Sequence, residues 1–124
     1  MSKRTSVLIV YDEDMITETL RDILEEYDYS VMTANSGYEA IDKVTASPFD
    51  VILMDIRMPG MNGVETLKKI KRIRPDAAVM MMTAYSAAEL EAEALKEGAH
   101  SIIHKPLDLD KVIELIKNIV INSN

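Results

Sequence analysis

Residues 51–63 read V-I-L-M-D-I-R-M-P-G-M-N-G. Four apolar residues run without interruption into a carboxylate, Asp55, and a Met-Pro-Gly turn follows. A strand with one solvated face alternates apolar and polar side chains, whereas a strand covered on both faces of a parallel sheet reads as a continuous apolar run. Asn62 and Gly63 then stand where a helix would be capped and opened. The stretch is therefore read as buried strand, acidic end, turn and helix start.

The same alternation extends in both directions. Strands are expected at Ser6–Val10, Ser30–Thr33, Val51–Met54, Ala78–Met82 and Ser101–Ile103. Ile16, Leu20, Ile23 and Leu24 form an apolar stripe at helical spacing, as do Val64, Leu67, Ile70 and Ile73, and Val112, Leu115, Ile116 and Ile119. Ser36-Gly-Tyr-Glu39 and Ser86-Ala-Ala-Glu89 have the S-x-x-E form of a capping box, and Gly98 would close the helix that the second one opens. A β-α unit repeated five times implies a five-stranded parallel sheet with right-handed crossovers and helices on both faces.

Polar residues follow the strands. Asp12 comes after the first, Asp55 after the third, Thr83 after the fourth, and Lys105–Pro106 after the fifth. In an open parallel sheet the C-terminal strand ends share one edge, and ligands bind there. Two carboxylates, a hydroxyl and an ammonium should thus meet at one place, although they lie far apart in the chain.

With these fragments in order, the sequence resembles a two-component response regulator receiver domain of the CheY-like family over essentially its whole length. Asp55–Gly63 matches the family's phosphoacceptor loop, and Met82-Thr83-Ala84 and Lys105–Pro106 fall at the family's spacing after it. The resemblance implies a flavodoxin-like, doubly wound α/β domain with strand order 2-1-3-4-5, two helices on one face and three on the other. It also implies a cis Lys105–Pro106 bond. The chain is read as one receiver domain, residues 1–124 with a core of about 5–120 and no effector domain. The implied function is to take a phosphoryl group onto Asp55 from a sensor histidine kinase or a histidine phosphotransfer protein.

That function explains the residue types. A carboxylate is already ionised at neutral pH and can act as a nucleophile. Bringing a phosphoryl group to an anionic site needs positive charge, and Mg²⁺ suits one or two carboxylates plus phosphate and water. By resemblance, Asp12, Asp55 and the carbonyl of Arg57 would hold Mg²⁺. Lys105 would pair with one phosphate oxygen, Thr83 with another, and the N–H of Ala84 with a third. Transfer of this kind depends on positioning and charge neutralisation, so the domain is expected to be a signalling module with self-catalysed chemistry and not an enzyme.

Two residues depart from the family. Ile102 stands three places before Lys105, where an aromatic is usual, so the response is expected to rest on packing. Tyr11 stands where the family has the first of two adjacent acids. The metal site is thereby one acid short, and Tyr11 is expected to weaken it without abolishing it. Two other readings compete. One is a pseudo-receiver that binds partners without phosphorylation, supported by Tyr11 and Ile102. The other is an aspartate-nucleophile phosphohydrolase suggested by Asp12-Glu-Asp14, though Met15 and Ile16 do not continue that motif.

Plainer readings hold elsewhere. His104 should point away from Lys105 by strand alternation and is read as a surface or packing histidine. The Met80-Met81-Met82 run is core filling in a buried strand. Glu25–Glu26, the Glu89/Glu91/Glu93 series and the lysines at 68, 69 and 71 with Arg72 are read as solvated helix faces. The helix opened by Ser86 has few large apolar anchors, chiefly Leu90 and Leu95, so it and the loop before it are the expected switch element.

Composition is consistent with this reading. The chain has 124 residues, a net charge of −7 and no cysteine. Its length suits one domain with a proper core. The negative charge argues against nucleic-acid binding by this domain. No run approaches the 18 or so apolar residues of a membrane span, and no disulfide or thiolate metal site is available. A cytoplasmic location is expected, with a phosphorylation-dependent dimer or a downstream protein partner as the output.

Overall fold

The computed structural model describes residues 4–83 and 88–122. Its elements alternate without exception: β1 (Ser6–Val10), α1 (Asp14–Glu26), β2 (Ser30–Ala34), α2 (Gly37–Ala46), β3 (Val51–Asp55), α3 (Gly63–Ile73), β4 (Val79–Thr83), α4 (Ala88–Lys96), β5 (Ser101–His104) and α5 (Leu109–Asn122). The strands form one sheet in the order β2-β1-β3-β4-β5, and each of the four strand pairings is parallel. The expected flavodoxin-like topology is the one observed.

Period-2 alternation divides the core between the two faces. Leu8, Val10, Ile52, Met54, Val79 and Met81 pack with Val44 of α2, Leu67 of α3 and Ala94 of α4. Val7, Ile9, Leu53, Met80 and Met82 pack with Leu24 of α1 and Ile116 of α5. Three helices therefore cover one face and two the other, and the methionine run fills both cores. All three methionines are fully buried.

Four strands run one residue further than expected; β2 continues through Ala34, and the other three extensions bear on the site. β3 includes Asp55, which is in register with Met82; the Ile56 N–H donates to the Met82 carbonyl at 2.9 Å. β4 begins at Val79, one residue later than expected, and continues through Thr83. β5 continues through His104, which is in register with Thr83. The Lys105 N–H then donates to the Thr83 carbonyl at 2.8 Å. The ladder, not apolarity, sets where a strand stops, so polar residues at the C-terminal edge are still held by sheet hydrogen bonds.

Helix ends follow their sequence signals in two described cases and depart in one. Asn62 accepts from the Glu65 N–H at 2.9 Å, and Glu65 accepts from the Asn62 N–H at 3.1 Å, a complete capping box at the start of α3. Ser36 accepts from the Glu39 N–H at 3.1 Å. The Glu39 carboxylate, expected to reach back, lies 3.3 Å from Lys43 instead. A lysine one turn on offers it a charged partner in place of a neutral N–H. The Ser86 box lies outside the described residues. Gly98, at φ +102°, closes α4 as expected, with the Ala99 N–H donating back to Ala94 at 2.9 Å.

Candidate functional site

The strand ends bring Asp55, Thr83 and Lys105 to one edge of the sheet. Asp55 is only 6% exposed, and Thr83, on the neighbouring strand, is also buried. The Lys105 ammonium lies 3.2 Å from Asp55 Oδ2, and the Lys105–Pro106 bond is cis. The Arg57 N–H reaches Asp55 Oδ1 at 3.4 Å, at the far end of a donor's range. Asp12 is exposed beside the site, close enough for its charge to act on Asp55. Of the residues the sequence nominated, only Ala84 lies outside the described residues.

The loop after β3 is closed by a near contact of main chains. The Gly63 N–H donates to the Ile56 carbonyl at 2.7 Å. A Cβ at position 63 would stand 2.3 Å from the Asp55 carbonyl oxygen and 2.8 Å from Ile56 Cα. Only a residue without a side chain lets α3 start this close to Asp55. Gly63 is thus more than the helix opener read from sequence; it sets the distance between α3 and the end of β3.

Charge in the site is poorly balanced. Burial pushes the Asp55 carboxyl above its ordinary pKa. Lys105, by charge and hydrogen bond, and the Arg57 N–H pull it back, and the Asp12 charge pushes it up again, with burial prevailing. Burial also works against the Lys105 ammonium. There the hydrogen bond to Tyr11, and then the charge and hydrogen bond of Asp55, prevail and raise its pKa above the usual lysine value. Burial thus outweighs the lysine at this carboxylate.

Sequence reasoning missed one contact. Tyr11 was read only as an absent acid. In the structure it is 3% exposed, packed with Val7, Ile9 and Leu20 against the α1–α5 face. Its hydroxyl accepts a hydrogen bond from Lys105 Nζ, and the same ammonium lies 4.1 Å from its ring centroid. Strand alternation held the signal: residue 11 follows 7 and 9 onto the face where β5 hands over to Lys105.

Other expectations need correction around α4. Leu95, expected as an anchor, is 54% exposed, and Ala94 is the residue that α4 buries fully. A single-residue phase difference along a nine-residue helix with a weak apolar pattern decides which side faces in. The glutamates of α4 are not simply solvated. Glu93 lies 2.6 Å from Lys68 of α3, and Glu91 lies 2.9 Å from His104 Nε2 at the end of β5. His104 itself is a surface residue, as alternation implied. Lys71 also leaves the solvated face, donating to the Ala77 carbonyl at 2.7 Å. Ile102 is partly buried against the α2–α4 core.

Five parallel strands in the order β2-β1-β3-β4-β5 match the topology expected of a receiver domain, and comparison gives the same family. Residues 7–117 match the response regulator receiver domain family, and the chain belongs to that family. It is 43% identical over 110 residues to the transcriptional regulatory protein ZraR of Klebsiella oxytoca, covering 89% of this chain and 25% of that protein. The chain therefore spans about a quarter of that relative's length. It is 34% identical over 111 residues to sporulation initiation phosphotransferase F of Bacillus subtilis, covering 90% of each chain. The crystal structure of a response regulator receiver domain protein from Clostridium thermocellum superposes with a TM-score of 0.91, at 29% identity and 96% coverage of both chains. A receiver domain is a signalling domain of two-component systems. Among the described residues, no helix is long and apolar enough to cross a membrane.

Proposed function

We propose that this receiver domain accepts a phosphoryl group on Asp55 from a phosphohistidine of a sensor histidine kinase or a histidine phosphotransfer protein. The observation that carries the reading is the buried Asp55 carboxylate with Lys105 at 3.2 Å. A carboxylate oxygen forms the new P–O bond while the P–N bond to the donor imidazole breaks, and that electron pair leaves with the imidazole nitrogen. The proton balance closes on the donor, because the attacking carboxylate carries none.

Asp55 is the nucleophile, and its place in the β3 ladder fixes the direction of attack. Lys105 neutralises charge on the transferring oxygens as a point cation. Thr83, at the end of the adjacent strand, supplies a hydroxyl donor, and the N–H of Ala84 is assigned the third oxygen.

The donor set fits a hard divalent cation. Among the described residues, no three acidic, histidine or cysteine side chains gather at one place. What the site offers is two carboxylates, Asp12 and the buried Asp55, and main-chain carbonyls. That set is too sparse for an all-protein cage and suits Mg²⁺, which retains waters and takes oxygen from the phosphate. Asp12, Asp55 and the Arg57 carbonyl would hold it. When bound, the ion offsets the negative charge that phosphate brings to the two carboxylates.

The test is incubation with Mg²⁺ and acetyl phosphate followed by intact mass. One added phosphoryl group, lost in hydroxylamine as acyl phosphates are, is expected. No labelling would favour the pseudo-receiver reading, for which Tyr11 in place of an acid is the supporting observation.

A further inference from the structure

Tyr11 touches the site, and the phosphoryl-transfer scheme gives it nothing to do. Its ring is buried in the α1–α5 core, so its hydroxyl is held in place by packing. That hydroxyl accepts from Lys105 Nζ, and the ring lies within cation–π range of the same ammonium at 4.1 Å. The ammonium's second described contact is Asp55 Oδ2 at 3.2 Å. An ammonium has three donors. Two are engaged among the described residues, and a third can turn to an incoming oxygen.

An acid at position 11 and a phenol at position 11 act on different partners. A carboxylate would add a third negative charge beside Asp12 and the buried Asp55. A neutral phenol adds an acceptor and a π face without that charge. Lysine is a point charge on a flexible four-carbon stem, so without a support its head is poorly fixed. Here the support is a side chain of the neighbouring face, joined to Lys105 across 94 residues of sequence.

We propose that Tyr11 is a positioning residue for phosphoryl transfer: its hydroxyl and ring hold the Lys105 ammonium against Asp55 before the phosphoryl group arrives. The proposal rests on Asp55 being the acceptor. It assigns Tyr11 to the lysine and not to the metal.

Tyr11→Phe keeps the ring and its packing but removes the acceptor. Carbon-13 relaxation at Lys105 Cε, measured without any phosphodonor, should show a lower order parameter in the variant. At saturating Mg²⁺ the rate of labelling by acetyl phosphate should fall on the order of tenfold, the effect of one hydrogen bond to a charged group. The Mg²⁺ dissociation constant should stay within about twofold, since a typical outer-sphere partner of a metal is worth 10–100-fold. In a Lys105→Met background, Tyr11→Phe should change the rate no further, because the two act as one unit.

Equal Lys105 order in the two proteins overturns the proposal, as does a tenfold change in Mg²⁺ affinity or an additive effect in the Lys105→Met background. Failure of the wild type to take label overturns the assignment of Asp55 instead. The relaxation comparison would then still decide whether Tyr11 holds the lysine.

Discussion

Lys105 Nζ lies 3.2 Å from Asp55 Oδ2, although 50 residues separate the two in the chain. Each is placed by the last bonds of its strand: Ile56 to Met82 after Asp55, and Lys105 to Thr83 at the end of β5. Asp55 and its counter-charge are thus fixed by the sheet edge itself.

The closeness of α3 to β3 makes Gly63 the first test. A methyl group there meets main chain at 2.3 Å and 2.8 Å, which no side-chain rotation relieves. Gly63→Ala should destabilise the fold by about 1–3 kcal/mol, as overpacking does, and should slow labelling of Asp55. Denaturant unfolding that matches the wild type would contradict the close approach.

Stability should also report the unfavourable burial of Asp55. Its pKa is raised by burial beyond what Lys105 and Arg57 pull back. A carboxyl with a raised folded pKa favours the fold while protonated, and that contribution is lost as pH rises through the raised value. Ionised Asp55 therefore weakens the fold at neutral pH. Asp55→Asn should melt higher than the wild type at pH 7, and the gap should close toward pH values of about 4 and below, where a free carboxyl protonates. A lower melting temperature at pH 7, or a gap that widens in acid, would contradict this sign.

Mg²⁺ should relieve the same imbalance. Binding to the folded state alone stabilises it by about 2.7 kcal/mol at a free concentration of 100 times the dissociation constant. The wild type should therefore show a Mg²⁺-dependent rise in melting temperature, and Asp12→Asn should lose most of it. An equal rise in that variant would remove Asp12 from the ligand set.

The weak attachment of α4 gives a prediction about dynamics. α3 buries Gly63, Val64, Thr66, Leu67 and Ile70, whereas α4 buries Ala94. The contacts to Lys68 and His104 add little, because exposed pairs of this kind contribute about 0–1 kcal/mol. Amide exchange in residues 90–96 should be faster than in residues 66–72. Equal protection in the two helices would show that packing on α4 is stronger than its burial implies.

Much of this edge was legible before the structure. Continuous apolar runs such as 51–54 and 79–82 announced strands covered on both faces, and their polar successors announced the site. Strand ends fall one residue beyond the expected bounds at Ala34, Asp55, Thr83 and His104; at the last three, apolarity marks burial while the ladder's hydrogen bonds continue into polar residues. The inward face of α4 was misread at Leu95, since a short helix with small apolar residues has little periodicity to read. Tyr11 was recognised as out of place, but its partner was not. A one-dimensional pattern shows which residue type is missing; it does not show which distant side chain uses the one that replaced it.

Under the proposed function, the phosphoryl group goes to Asp55, and that destination can be measured directly. After labelling with acetyl phosphate and Mg²⁺, borohydride reduction converts an aspartyl phosphate to homoserine, which peptide mass spectrometry locates. Homoserine at position 55 alone, and none in Asp55→Asn, is the predicted result. Homoserine at Asp12 or any other position, or label that persists undiminished in Asp55→Asn, would contradict it.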